Sequence, residues 1–136
     1  MLSANARAMS LSYWCQVALR EGRLFAMQKI SLDALARQQM KLAATAGGRH
    51  TADTVHGGHE KVMRQTVIGM IGGARLAEHE NPGEATVFVL HGRVRLSAAD
   101  QSWEAVRGDL LIVPQNRHSL EALEDSAVLL TVAKLS

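Results

Sequence analysis

The sequence predicts one small all-β barrel or sandwich with a single helix on its N-terminal side. The chain has 136 residues, a length that suits one domain. From Lys61 onward every segment is short and strand-like, and turn signals made of Gly, Pro, Asn and Asp separate the segments. No periodic helix lies among them, which argues against a parallel sheet with crossover helices. The predicted strands cover 61–71, 74–79, 85–91, 93–97, 102–107, 109–113, 118–123 and 126–133.

The composition determines what kind of core this chain can build. Hydrophobic residues make up 47% of the sequence and aromatic residues only 4%, so Val, Leu, Ile and Met must fill the interior. A domain of this size buries a modest share of its surface on folding. Association into a homodimer would bury more surface and would cover open strand edges, so we expect a homodimer.

Residues 1–26 lack the patterning that begins at Met27. They are rich in Ala and Ser and contain three arginines against one glutamate. We interpret them as an extension that is not native or is disordered; an additional helix over 11–25 and an organelle-targeting segment are the alternatives. The expected organisation is therefore an extension over 1–26, a helix and loop over 27–59, and the β-barrel over 60–136.

A helix is predicted over residues 31–46. Ser31 is a suitable N-cap, and Gly47-Gly48 ends the helical pattern. One face of the helix is apolar, and it consists of Leu32, Leu35, Ala36, Met40 and Ala43. We expect this face to pack on the barrel, and a groove for a partner is the alternative.

The segment 47–60 is predicted to be a polar, solvated loop. It contains His50, His56 and His59, and the run from His56 to Glu60 has the composition of a metal site. However, a glycine-rich loop does not hold metal ligands in a fixed geometry. A metal site in this segment is therefore the less favoured interpretation.

The charge distribution argues against nucleic acid and membrane as partners. The formal net charge is +2, and residues 1–26 account for all of it, which leaves 12 of the 15 basic and 12 of the 13 acidic residues in the rest of the chain. A nucleic-acid binder would concentrate basic charge in its folded part. No run approaches the ~18 apolar residues of a membrane span. The one cysteine, Cys15, excludes an internal disulfide and fits a cytoplasmic protein.

Two stretches resemble the paired motifs of the cupin superfamily. In the first motif, G-x5-H-x-H-x3-E-x6-G, the spacing is kept by Gly73, His79, Asn81, Ala85 and Gly92. Asn81 stands at the second His position and Ala85 at the Glu position. Two of the three metal ligands of that motif are therefore replaced.

The second cupin motif, G-x5-P-x-G-x2-H-x3-N, is matched by Gly108 and Pro114 at the expected separation. Asn116 stands at a Gly position, and His118 comes one residue early. The resemblance covers residues 60–134. It implies a cupin-type double-stranded β-helix, a jelly-roll barrel, which with the predicted helix makes an all-β fold with one N-terminal helix.

The resemblance also implies where the site would lie. Residues i and i+2 of a strand share a face, so the family pattern directs His79 and Asn81 into the barrel, and His118 enters from a later strand. The inward face of the strand after Asn81 would carry Ala85, Val87 and Val89.

The metal-binding capacity of this set is reduced. Asn81 is a weak ligand and Ala85 cannot bind a metal, so no cofactor is firmly implied. A divalent transition metal held by His79 and His118 is the alternative, with Glu84 or His59 as a further ligand. Glu84 would reach the barrel only if the turn after Asn81 directed it inward.

Arg64 lies in a predicted strand and has two interpretations. It is either an exposed arginine at a sheet edge or a cation that lines the cavity and binds a carboxylate. Inward positions of small barrels are normally apolar, which favours the first interpretation.

Three functions are consistent with these residues. The favoured one is a small single-domain cupin that binds a small molecule in its barrel through a degenerate metal motif. A metal-dependent enzyme of the dioxygenase or isomerase type and a non-catalytic dimeric structural or regulatory accessory protein are the alternatives. Whether the chain is an enzyme stays open, because a shared fold does not decide the chemistry.

Overall fold

The computed structural model describes residues 27–79 and 83–134, with the backbone alone for Glu78 and His79. This part of the chain contains one helix and nine strands. In chain order they are α1 (Leu32–Thr45), β1 (His50–His56), β2 (Met63–Met70), β3 (Arg75–His79), β4 (Gly83–His91), β5 (Arg93–Ala98), β6 (Gln101–Val106), β7 (Leu110–Val113), β8 (His118–Ala122) and β9 (Ser126–Lys134).

The strands form two antiparallel sheets. The larger sheet has the order β1-β2-β9-β4-β7, and the smaller has the order β3-β8-β5-β6. The predicted all-β jelly-roll architecture is confirmed, and each of the eight predicted strands is present within a few residues of its expected bounds. The apolar alternation along each strand explains this agreement, because it fills the space between two sheets.

The core lies between the two sheets and is built of small and medium aliphatic side chains. Valines dominate it, as the low aromatic content predicted. Its buried members are Ile68, Met70, Ala74, Ala85, Val87, Val89, Val94, Leu96, Ala105, Val113, Leu120, Ala122, Val128 and Val132.

The expectation of a loop over 47–60 is wrong for the middle of that segment, where residues His50–His56 form β1. The strand pairs antiparallel with β2. It also contacts α1, because the Thr51 hydroxyl donates a hydrogen bond to the Gln39 carbonyl oxygen at 2.9 Å. The sequence signal is weak because β1 is an edge strand. Its half-buried positions include the polar residues Thr51 and Asp53, so the strand lacks the apolar alternation that identifies a central strand.

Helix α1 packs on the outer face of the larger sheet, as predicted. Its buried residues are Leu35, Ala36, Gln39 and Ala43. The backbone of α1 comes so close to β2 that a Cβ at Gly69 would overlap the Gln39 backbone. A glycine at this position therefore permits the helix to approach the sheet.

The chain crosses between the sheets at both ends of the barrel. Four connections lie at one end, which we call the closed end: residues 71–74, Gly92, 107–109 and 123–125. The opposite end, which we call the His118 end, contains the end of β3, the start of β4 and the connection over residues 114–117.

The closed end is held by specific backbone and side-chain hydrogen bonds. The Gly72 N–H donates to Asp125 Oδ1 at 2.8 Å, and the Arg93 N–H donates to the fully buried Ser126 hydroxyl at 3.0 Å. Gly92 has φ +85, and a Cβ there would overlap Asp125 and Ser126. Residue 92 therefore needs both the conformation and the small size of glycine.

Two of the predictions concern residues outside the described part of the chain. The interpretation of residues 1–26 as an extension lies outside it, and so does the inward position of Asn81.

The elements above belong to one compact unit, residues 32–136. Within the described residues, no helix has the length and apolar character needed to cross a bilayer.

Candidate functional site

The His118 end of the barrel brings together the positions that the sequence singled out. Strand β7 ends at Val113, which pairs with Ala85 of β4. The chain then crosses to the smaller sheet and enters β8 at His118. Gln115 ties this crossing to the larger sheet, because its Nε2 donates to the Gly83 carbonyl at 2.9 Å.

The larger sheet contributes an inward-facing row at this end. The register places Arg64, Val132, Ala85 and Val113 side by side on β2, β9, β4 and β7. Residues opposite each other in an antiparallel ladder share a face. Ala85 is 7% exposed and belongs to the core, so the row faces the other sheet.

Val87 and Val89 continue this inward face along β4, as predicted. Both are buried in the core. They lie progressively closer to the closed end, so they form the floor beneath Ala85 rather than the rim of the site. Their role in a ligand pocket stays a prediction.

The smaller sheet contributes His118. Its side chain is 6% exposed and lies on the same face of β8 as the core residues Leu120 and Ala122. Its Nδ1 lies 3.0 Å from the Asn116 carbonyl oxygen. A carbonyl only accepts, so Nδ1 carries the proton in this bond, and in the neutral imidazole the lone pair is then on Nε2.

His79 and His118 are cross-strand partners in the backbone register of β3 and β8. This pairing brings the two backbones as close as any neighbouring strand residues, about 5 Å apart. The contact between the two imidazoles stays a prediction, because the His79 side chain lies outside the described atoms.

Arg64 is exposed, but its strand is not at a sheet edge, because β2 lies between β1 and β9. The register places Arg64 in the inward-facing row, and its role in a ligand pocket stays a prediction. Two strand spacings separate it from Ala85, which is about 10 Å between Cα atoms. A guanidinium on its long side chain can therefore reach the mouth of the barrel without being buried.

The proposed rescue of the metal site by Glu84 is wrong in its geometry. Glu84 lies in β4 rather than in a turn, it is exposed, and it neighbours the inward-facing Ala85, so it lies on the outer face of the sheet. His59 is exposed after β1. Among the side chains that the structure describes, no group of three or more His, Cys, Asp or Glu residues lies close enough to hold a metal.

Two residues of the inward row, Val113 and Val132, were not among the predicted site residues. The period of two along their strands identifies them as inward-facing. Their position beside Ala85 depends on strand register, however, and a single sequence does not specify register between distant strands.

A groove of about 480 Å³ lies outside the barrel, beside α1 and the closed end. Its rim is charged, and the Asp33 and Arg37 side chains on it pair with each other. The groove contains none of the predicted site residues. It is lined by Asp33, Ala36, Arg37, Met40, Lys41, Ala44, His91 and Asp125.

Comparison with solved structures identifies the fold. A protein of unknown function from Streptococcus pyogenes matches with a TM-score of 0.66 at 20% identity, over 83% of this chain and 92% of its own. A cupin superfamily protein from Desulfitobacterium hafniense matches with a TM-score of 0.61 at 17% identity, over 69% and 88%. KdgF from Halomonas sp. matches with a TM-score of 0.56 at 19% identity, over 68% and 85%.

The chain therefore has the cupin fold, as the spacing of the two motifs predicted. No protein-family model matches the sequence, and no curated protein matches it. At these levels of identity the structural likeness defines the fold and leaves the chemistry to the site.

Proposed function

We propose that this protein binds a small polar molecule that carries a carboxylate, at the His118 end of its barrel. The observation that supports the proposal best is the burial of the His118 imidazole on an otherwise apolar inward face. An imidazole at this position gives the apolar interior a group that can donate or accept a hydrogen bond, and a polar ligand in the barrel could use that group.

The two polar side chains of the site have complementary roles in this proposal. His118 would offer its imidazole to a hydroxyl or amide of the ligand, with the ring oriented by the Asn116 carbonyl. Arg64 would bind the carboxylate at the mouth, where a guanidinium can form two parallel hydrogen bonds. The apolar residues Ala85, Val113 and Val132 would contact the carbon skeleton of the ligand.

A bound transition metal fits the described side chains poorly. The family ligand positions supply an alanine at residue 85, and Glu84 lies on the opposite face. Two imidazoles without a carboxylate are a weak set for such a metal. We therefore propose ligand binding without a metal, and elemental analysis of protein purified without chelators should give far less than one metal per chain.

The restored ligand position provides a matched control for the metal analysis. Ala85→Glu should place a carboxylate on the inward face beside the histidine positions and increase the nickel or zinc content. About one metal per wild-type chain would overturn the metal-free form of the proposal.

We further propose that the protein is cytoplasmic and acts as a homodimer. The single cysteine, which excludes an internal disulfide, supports the first statement. Open strand edges on a small barrel support the second.

The proposal is tested with a panel of small acids that are measured individually by isothermal titration calorimetry: acetate, pyruvate, succinate, gluconate and glucuronate. At least one should bind the wild-type protein. His118→Ala and Arg64→Ala should each weaken that binding by about tenfold or more, since each removes a hydrogen-bonding partner. His91→Ala removes an exposed imidazole at the closed end and is the matched control. Failure of every acid to bind, or equal affinity in His118→Ala, would contradict the proposal.

A further inference from the structure

One strand edge of the barrel differs from the other three. Exposed edges are commonly blunted by bulges, prolines or short length. In the described residues, β1 and β3 each carry an irregularity in their pairing, and β7 has four residues and is followed by Pro114. Strand β6 has six residues in unbroken register with β5, and it contains neither proline nor lysine.

The outer edge of β6 presents backbone groups at two alternate residues. A two-residue turn joins β5 to β6, and its closing pair, Ala98 and Gln101, is hydrogen-bonded in hairpins of this type. The backbone groups of Ser102, Glu104 and Val106 therefore point away from β5. At Val106 they are already used, because its N–H donates to Asp109 Oδ2 at 2.9 Å and its carbonyl accepts the Asp109 N–H at 2.9 Å.

Between these two positions lies Trp103. It pairs with the core residue Leu96 in the register of β5 and β6, so it lies on the inward-facing side of the sheet. It is nevertheless 66% exposed, because the barrel does not extend over this edge. An indole exposed to this extent beside free backbone groups is a feature of association surfaces.

We propose that two copies of this chain associate through β6, antiparallel, with the two-fold axis at Trp103. In this register Ser102 lies opposite Glu104 of the partner subunit, and each such pair exchanges both of its backbone hydrogen bonds. The two indoles then lie opposite each other on the inward-facing side and cover one another. The two four-stranded sheets become one continuous sheet.

The charges near β6 are compatible with this register. Glu104 accepts from Arg93 Nε at 3.2 Å and from Arg95 Nη2 at 3.2 Å, so its charge is balanced within its own subunit. A register shifted to place the axis at Glu104 would set two carboxylates opposite each other and would require the backbone groups of Val106 that Asp109 already holds. The Trp103 register avoids both problems.

This inference rests on the homodimer proposed above and names the surface that forms it. Its first test is sedimentation equilibrium of the full chain. Ser102→Pro removes an outward N–H that β5 does not use, and Trp103→Lys places a charge on the axis. Each should weaken dimerisation by at least about tenfold. Ile112→Lys changes a side chain that is 70% exposed on the edge strand β7 and should leave dimerisation unchanged.

The outcomes separate the surface from the dimer itself. A wild-type dimer that both β6 variants leave intact would overturn the β6 surface and leave the dimer standing. A wild-type monomer at micromolar concentration would overturn both. Thermal melting of each variant verifies that it is folded. If the Ser102→Pro variant does not fold, the dissociation constant of the Trp103→Lys dimer alone tests the β6 surface.

A cross-linking experiment tests the register independently of affinity. In a Cys15→Ser background an introduced cysteine is the only one in the chain. Trp103→Cys should form an intersubunit disulfide on mild oxidation, because opposite residues of a non-hydrogen-bonded pair have Cα atoms about 4.5 Å apart. Ile112→Cys should remain uncrosslinked. Equal cross-linking of the two cysteine variants, or none of the Trp103→Cys variant, would overturn the register.

Discussion

The two ends of the barrel are built differently. At the closed end four connections meet, and specific residues fix the backbone there. Gly92 adopts a positive φ, and the side chains of Ser126 and Asp125 accept hydrogen bonds from backbone N–H groups. At the His118 end the described connection is residues 114–117, and His118 places a buried imidazole on the core-facing side of β8, next to the buried Ser119. Folding alone explains the first end, and the proposed ligand would use the imidazole at the second.

The cupin motifs divide between these two ends. Their glycines, Gly73, Gly92 and Gly108, all have positive φ and all lie at the closed end. Of the motif positions that the structure describes, Ala85 and His118 lie at the other end, and alanine stands at residue 85 where the motif has Glu. The motif spacing is therefore retained where it determines the fold, while the residues that would determine metal chemistry differ.

The largest effect on stability is expected from Gly92→Ala at the closed end. Alanine at residue 92 would have to keep a positive φ that is unfavourable for a residue with a side chain, and its Cβ would displace Asp125 and Ser126. Together these effects should lower the free energy of unfolding by about 2–4 kcal/mol. Urea denaturation followed by circular dichroism measures this change. A loss under about 1 kcal/mol would show that the closed end can rearrange.

A smaller loss is expected from Ser126→Ala. It removes the fully buried hydroxyl that accepts the Arg93 N–H and donates to the Glu124 carbonyl at 2.7 Å. The unsatisfied backbone groups should cost about 1–3 kcal/mol in the same urea experiment. Ser102→Ala, at an exposed serine, is the matched control and should change the monomer's stability very little.

The smallest loss is expected at the His118 end, from Gln115→Ala. The side-chain bond from Gln115 to the Gly83 carbonyl is accessible enough for water to replace it, so the free energy of unfolding should fall by about 0.5–1 kcal/mol. A loss as large as that of Ser126→Ala would remove the distinction between the two ends.

Alternation and turn residues made most of the fold predictable. Val87 and Val89 identify β4 and its inward face, and helix α1 follows from its apolar period. Two expectations failed, for different reasons. Strand β1 lies at an edge, and its half-buried positions include the polar residues Thr51 and Asp53, so its burial alternates while its hydrophobicity does not. Glu84 was expected in a turn, whereas β4 already begins at Gly83.

Less of the site than of the fold could be predicted. The alternation of His118, Leu120 and Ala122 is sufficient to place His118 inward, as the family pattern implied. The neighbours of His118 could not be derived, because Val113 and Val132 reach the site through strand register. Pairing between strands distant in sequence depends on the whole set of packing contacts.

The central claim is that His118 serves binding rather than stability. It is tested most directly by calorimetric titration of His118→Ala with the panel acid that binds the wild-type protein most tightly, under conditions where urea denaturation shows both proteins to be folded. We predict that binding weakens by about tenfold or more while the free energy of unfolding falls by no more than about 1 kcal/mol. Unchanged affinity, together with a loss of stability as large as that of Ser126→Ala, would show that His118 is a structural residue and would contradict the account.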